Sequence, residues 1–300
     1  MANDKSSIVQ KALAAVAVIA GIVLIFIAPE RVMTSLNHAV KVSFSLLDIM
    51  TEMTGGAKEV QEIPDLLKLF YPLWTVLSMM TGVALIILAI PLSRGDYWAR
   101  PLAIGFLALP IIGGTFITGS LTFIAKEIAS NGAILLLAGL IPYLIFVLVD
   151  KTSVTDTVIR FFVFLLLILS AAINFVTGFG ALMQNKLHAA MNPQIVDYAY
   201  TISTYATFIG LILVIVAIPL FASRLQLGLL LATVGTALMT IGSTTAYLRD
   251  SYMVFEVPIF PALIGVVALA LMIVFGSRLV DHNQTSKWAI LPLDKAGKAD

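Results

Sequence analysis

Apolar residues fall in long blocks separated by short polar clusters, and eight of these blocks are long enough to cross a bilayer. A spanning helix takes about 20 mostly apolar residues, with a range of roughly 17–25. The blocks are Ala12–Ala28, Phe70–Leu92, Leu102–Ala125, Ala133–Val149, Phe161–Leu182, Ala199–Ala222, Leu225–Leu248 and Val257–Gly276. They predict an all-α polytopic membrane protein with eight transmembrane helices.

One segment breaks the pattern. Residues 31–53 hold Arg31, His38, Lys41, Asp48 and Glu52, all costly at membrane depth. Thr34, His38, Lys41, Ser45, Asp48 and Glu52 recur every three or four residues and share one helix face, with Leu36, Val40, Leu47 and Met50 opposite. This predicts an amphipathic helix on the outer side, in the interface or packed over the bundle. Gly55–Gly56 end it, and Pro64 suits the first turn of a helix leading into Phe70.

The blocks also resemble one another. Gly82–Leu92 reads GVALIILAIPL and Gly210–Leu220 reads GLILVIVAIPL, with seven of eleven positions identical. Gly105, Gly119, Ser120 and Thr122 align at one offset with Gly228, Gly242, Ser243 and Thr245. Met33 and His38 align at another with Met183 and His188. The landmarks keep their order, which predicts two four-helix repeats, 1–150 and 151–300. The first carries an outer-loop insertion at 31–69, and the second ends in a cytoplasmic tail at 278–300. Four spans per repeat is an even number, so the repeats lie parallel, related by an axis along the membrane normal.

Spans three and seven are the richest in small and hydroxyl residues. Gly105, Gly119, Ser120 and Thr122 fall in the third; Gly228, Gly235, Gly242, Ser243 and Thr245 fall in the seventh. Small residues let helix backbones approach closely in lipid, where little hydrophobic force draws helices together. The expected role is a packing seam, with a weakly polar path along these spans as the functional alternative. Asn174 is the one amide well inside a span and is expected to bond to another helix.

Composition sharpens the class. Charged residues make up 12% and hydrophobic residues 60%, against about 25% charged in an ordinary soluble domain. A formal net charge of +1 leaves no basic surface for nucleic acid. With no cysteine, disulfides, iron–sulfur ligation and thiol nucleophiles are excluded.

Charge also orients the chain. With the N-terminus inside, eleven Lys and Arg residues face the cytoplasm and seven face outward, of 18 in all. Both termini are expected in the cytoplasm, in a prokaryotic plasma membrane. Lys5 and Lys11 ahead of the first block imitate a signal peptide, but Phe26 and Pro29 spoil a cleavage site, so a retained anchor is expected.

The candidate chemistry is sparse. No Asp, Glu, Lys, Arg or His falls in the middle of a predicted span. Arg160, Asp150, Lys126, Glu127, Asp197 and Glu256 lie near span ends, where long side chains can snorkel to headgroups. A proton- or sodium-coupled carrier, a voltage sensor and a retinal protein each need groups that the spans lack. His38 and His188 sit at matching outer positions and are weak candidates for a metal or haem site. No motif indicates a cofactor, and no motif is specific to a family.

The leading expectation is a non-catalytic membrane subunit or scaffold, with lipids and other membrane subunits, or further copies of itself, as partners. The alternative is a passive facilitator for a small neutral or apolar solute, lipid or quinone along spans three and seven. An outer-surface metal or haem binder is the third reading.

Overall fold

The computed structural model describes residues 2–54, 62–125, 130–149, 153–191, 197–250 and 259–280. The elements are α1 (Ala2–Ile22), a π turn (Val23–Ile27), α2 (Ala28–Thr54), α3 (Ile63–Arg94), α4 (Ala99–Ala125), α5 (Ser130–Leu148), α6 (Val154–Met191), α7 (Tyr198–Ala222), α8 (Gln226–Asp250) and α9 (Phe260–Leu279). Among the described residues there is no strand. Among the described residues, eight helices are long and apolar enough to cross a membrane, as a polytopic membrane protein requires. Lys126, Glu127, Asp150 and Glu256, like Gly55–Gly56 and the tail from 281, lie outside the described residues.

The first span departs from the expectation. The sequence pattern ended the first span at Ala28 and set an amphipathic helix over 31–53; the chain is helical without interruption from α1 through the π turn into α2. Pro29 lies just past the π turn, whose wider loop gives the proline ring room. Ala28, Val32, Ser35, Leu36, Ala39 and Ser43 are buried, while Arg31, His38 and Lys41 stay exposed. The buried face packs on α3, α4 and α5. Ser45, Leu47, Asp48, Met50 and Glu52 have side chains outside the described residues.

Each half has the same set of neighbours. In the first, α1 packs on α3, α3 on α4, α4 on α5, and α2 on α5. In the second, α6 packs on α7, α7 on α8, α8 on α9, and α6 on α9. The joint between halves is α4, which also packs on α6 and α7. Its apolar window is 67% buried, against 56% for α6, the next highest, so α4 is the central helix.

An aromatic cluster fills this joint. Phe116 of α4 meets Phe175 and Phe179 of α6 with centroids 5.4 and 4.8 Å apart, and Phe70 of α3 meets Phe208 of α7 at 6.1 Å. Edge-to-face and tilted pairs at these distances add to the burial of each ring.

The turns α3–α4, α5–α6 and α7–α8 share one face, termed proximal because α1 starts there; the opposite face is distal. Ser153 caps α6: its hydroxyl accepts from Asp156 N at 3.1 Å and donates to Asp156 Oδ2 at 2.7 Å. With 38 residues, α6 is about 57 Å long at 1.5 Å per residue, against a hydrocarbon core of about 30 Å.

Candidate functional site

The small residues of spans three and seven are placed apart. Among the described residues, α4 and α8 share no extensive contact, and α6 and α7 lie between them. Gly105 faces Pro219 of α7, and Gly119 faces Val176 of α6, both across the joint. Gly228 and Gly242 instead face α7 of their own half, and Gly235 lies backbone to backbone with Gly210. Of the aligned pairs, Gly105 and Gly228 both pack against α7, whereas Gly119 packs against α6 and Gly242 against α7.

The hydroxyls of α8 mostly turn back on their own helix. Thr233, Thr240, Thr244 and Thr245 donate to the carbonyls of Leu229, Thr236, Thr240 and Ile241, each four residues earlier. Among the described residues, Ser203, Thr207 and Thr236 are buried with no hydrogen-bond partner, as is the indole N–H of Trp74. Ser120 and Ser243, aligned in sequence, both meet a polar partner on another helix. Ser120 Oγ lies 2.8 Å from Tyr71 OH of α3, and Ser243 donates to Asn174 Oδ1 of α6. The Thr122 side chain lies outside the described residues.

Asn174 is fully buried and uses both ends of its amide. Its Nδ2 donates to Ser170 O at 2.8 Å and to Pro261 O of α9 at 3.3 Å, while its Oδ1 accepts from Ser243 of α8. One side chain thus ties α6, α8 and α9 together.

The distal face holds an ion-pair node. Asp197 caps α7, accepting from Ala199 N and Tyr200 N. Its Oδ2 lies 2.8 Å from Arg249 Nε of α8 and 3.2 Å from His188 Nδ1 of α6. Burial alone would raise the Asp197 carboxyl. The hydrogen bond from Arg249, the Tyr200 N–H and the charges of Arg249 and His188 together hold it below the usual range. His188 is therefore engaged in this node, whereas His38 is exposed on α2. Among the described residues, no group of three or more His, Cys, Asp or Glu could hold a metal ion.

The proximal face gathers arginines. Arg100, in the first turn of α4, donates from Nε to Phe146 O at 2.7 Å and from Nη2 to Val147 O at 3.3 Å, in the last turn of α5. Arg160 of α6 donates from Nη2 to Ala222 O, the last residue of α7, at 3.2 Å. A cation on the terminal carbonyls of a helix complements its dipole. Arg160 also lies 5.7 Å from the Phe164 ring centroid. At 6% and 7% exposure, Arg160 and Asp197 are buried rather than snorkelled, because each finds helix-end partners inside the bundle.

Arg224 completes the group. Helices α3 and α7 end in the same Schellman turn. In the first, Gly95 N reaches Leu92 O at 3.1 Å and Asp96 N reaches Pro91 O at 3.0 Å. In the second, Arg224 N reaches Phe221 O at 2.9 Å and Leu225 N reaches Leu220 O at 3.0 Å. The left-handed position is Gly95 (φ 80) in one and Arg224 (φ 62) in the other. That conformation costs a residue with a Cβ about 1–2 kcal/mol. Arg224 stands two residues after Ala222, whose carbonyl accepts from Arg160, so both lie at the proximal end of the bundle.

No protein-family model, curated protein or solved structure matches this chain. The geometry alone therefore bears on function. The distal node and the proximal arginines escaped the sequence reading because their members lie on different helices and in the residues flanking α7. The signal available was charge placed beside a turn: Asp197 just before a block, and Arg224 between two blocks.

Proposed function

We propose that this chain is a non-catalytic integral-membrane subunit that acts as a scaffold, packing against lipid and partner membrane proteins. The observation that carries this reading is how the interior is filled. The faces of Gly21, Gly82, Gly210 and Gly235 are taken up by backbone contact, those of Gly105 and Gly119 by side chains of α7 and α6, and the α8 threonines named above bond within their own helix. A bundle so closed favours a packing role over a conducting one. Its outward surface is apolar: Ile202, Tyr205, Ile209, Ile212 and Val216 form an exposed stripe on α7. The excess length of α6, together with α2, supplies helix beyond one bilayer thickness for contacts outside the membrane.

In this reading the halves 1–150 and 151–300 are parallel repeats, supported by the shared neighbours and the paired Schellman turns. The membrane is a prokaryotic plasma membrane, and the proximal face, with both termini, is cytoplasmic.

Native mass spectrometry after gentle detergent extraction tests the proposal. Recurrent stoichiometric partners support it. A lone 32.2 kDa chain, or a homo-oligomer without partners, counts against it. That result would favour a passive facilitator for a small neutral solute. The buried hydroxyls of Ser203, Thr207 and Thr236 are the observation on that side. Solute flux in proteoliposomes then decides between the two.

A further inference from the structure

We propose that two copies of this chain pair in the membrane through the exposed face of α2, with Glu30 of each copy meeting Arg31 of the other. Both residues are exposed, and among the described residues neither charged group has an ion-pair partner. Glu30 and Arg31 are consecutive, about 100° apart around the helix, so they do not face each other. Thr34 lies between them one turn on, with its hydroxyl turned back on Glu30 O at 2.9 Å. The face is therefore a small residue flanked by one anion and one cation.

Helix contacts fix the depth of this face. Gly21 of α1 meets Gly82 of α3 backbone to backbone, Trp74 of α3 lies against Gly113 of α4, and Gly114 of α4 meets the backbone of Leu136 in α5. Arg31 stands ten residues beyond Gly21, and Trp74 eight residues before Gly82, on helices that run in opposite directions. Both therefore lie about 12–15 Å distal to the Gly21–Gly82 contact. Arg31 is thus level with Leu136, which stands six residues, or about 9 Å, inside the distal end of α5. That helix has 19 residues, about 28 Å, and so barely covers a hydrocarbon core of about 30 Å. Glu30 and Arg31 stand within the apolar layer.

Near this height α3 exposes Leu69, Leu73 and Val76, and α5 exposes Leu137, all apolar as lipid contact requires. Helix α2 packs on both and interrupts this apolar belt with two charges. Lipid is a poor cover for them, because charges at membrane depth need a partner. Side chains also lean toward the N-terminus of their helix, which for α2 is the deeper direction, away from the distal headgroups. A second copy supplies both missing charges. Copies inserted the same way are related by an axis along the membrane normal, and a twofold contact pairs residue i with j and j with i. An axis passing Thr34 brings Glu30 to Arg31 on both sides, at one height. Lys41, ten residues beyond Arg31, stands about 15 Å higher and clear of the apolar layer, where water and salt screen like charges. The pairing is separate from the binding of other subunits.

The test cross-links Thr34→Cys in membranes with a short bismaleimide; the chain has no cysteine of its own. The expected product runs at twice the 32.2 kDa chain mass, whereas Val76→Cys, exposed on α3 away from the axis, gives none. In the Thr34→Cys background, Glu30→Arg and Arg31→Glu each place like charges together and should abolish the cross-link. Combining the two reversals makes the charges opposite again and should recover it. Size-exclusion profiles in detergent establish that each variant is folded. Where a reversal is not, Glu30→Gln or Arg31→Gln takes its place, with partial loss expected. The proposal is overturned if Thr34→Cys forms no dimer beyond the Val76→Cys level, or if the single variants cross-link as their parent does. It is equally overturned if the single reversals lose the cross-link and a folded double variant does not recover it, which assigns the face to a different protein.

Discussion

Gly210 of α7 and Gly235 of α8 face each other so closely that a Cβ on either would meet the other's carbonyl oxygen, at 2.5 and 2.7 Å. Gly21 and Gly82 repeat the relationship between α1 and α3, with both distances 2.7 Å. The obstacle in each case is backbone, which cannot swing aside as a side chain can. Gly210→Ala is expected to destabilise the protein by about 1–3 kcal/mol, the usual effect of overpacking. Gly235→Leu should prevent a monodisperse species from forming. Size-exclusion profiles and thermal midpoints in detergent check both, and a Gly235→Leu protein that behaves as wild type would remove the close contact from the account.

The Asn174 node makes a second prediction. Asn174→Ala leaves Ser243 and the Pro261 carbonyl without their amide partner. Hydrogen bonds between membrane helices average about 0.6 kcal/mol, with a maximum near 1.7. Asn174→Ala should fall toward the upper end, since one side chain serves three helices. A double-mutant cycle with Ser243→Ala should show positive coupling; strict additivity would mean that the pair contributes nothing jointly.

Acid stability depends on Asp197. Its folded carboxyl titrates below the usual aspartate value of about 3.9. Its contribution is therefore fully present above that value and disappears as pH falls through the lower folded pKa. Thermal midpoints of wild type and Asp197→Asn should differ at pH 6 and converge in strong acid. Asparagine still accepts from Ala199 N and Tyr200 N, so that difference isolates the charge. Asp197→Ala should lose about 0.5–2 kcal/mol more, the worth of an N-cap. A gap that stays constant down to the lowest pH would contradict the assignment.

Thr240→Val separates the two functional readings. The hydroxyl donates only within α8, to Thr236 O at 2.7 Å. Its removal should change stability by about 1 kcal/mol or less and leave partner binding intact. Altered solute flux in the same variant would favour the facilitator.

The half-exposed pair Lys186–Glu62, 2.7 Å apart, links α6 to the residue before α3. Lys186→Ala should cost no more than about 1 kcal/mol, because exposed ion pairs are screened by water and salt. A larger loss in thermal midpoint would show that this link orders the distal face.

The sequence by itself determined the class, the eight helices and most of their limits. The reason is physical: apolar blocks of this length have no other stable use than as helices in lipid, where every backbone group must be satisfied within the segment. Internal similarity was legible for the same reason, since Gly82–Leu92 and Gly210–Leu220 are local strings. Only the tertiary structure decided which faces meet. The aligned Gly82 and Gly210 turned to different helices, because α4 and α8 stand at different depths in the bundle. At α2 the polar and apolar faces were legible, with Arg31, His38 and Lys41 exposed and Val32, Leu36 and Ala39 buried, but its unbroken continuation from the first span was not. Asp197 with Arg249, and Arg160 with the Ala222 carbonyl, are far apart in the chain and meet only through packing. Charge pairing over such separations is set by helix order and height, which no local run of residues encodes.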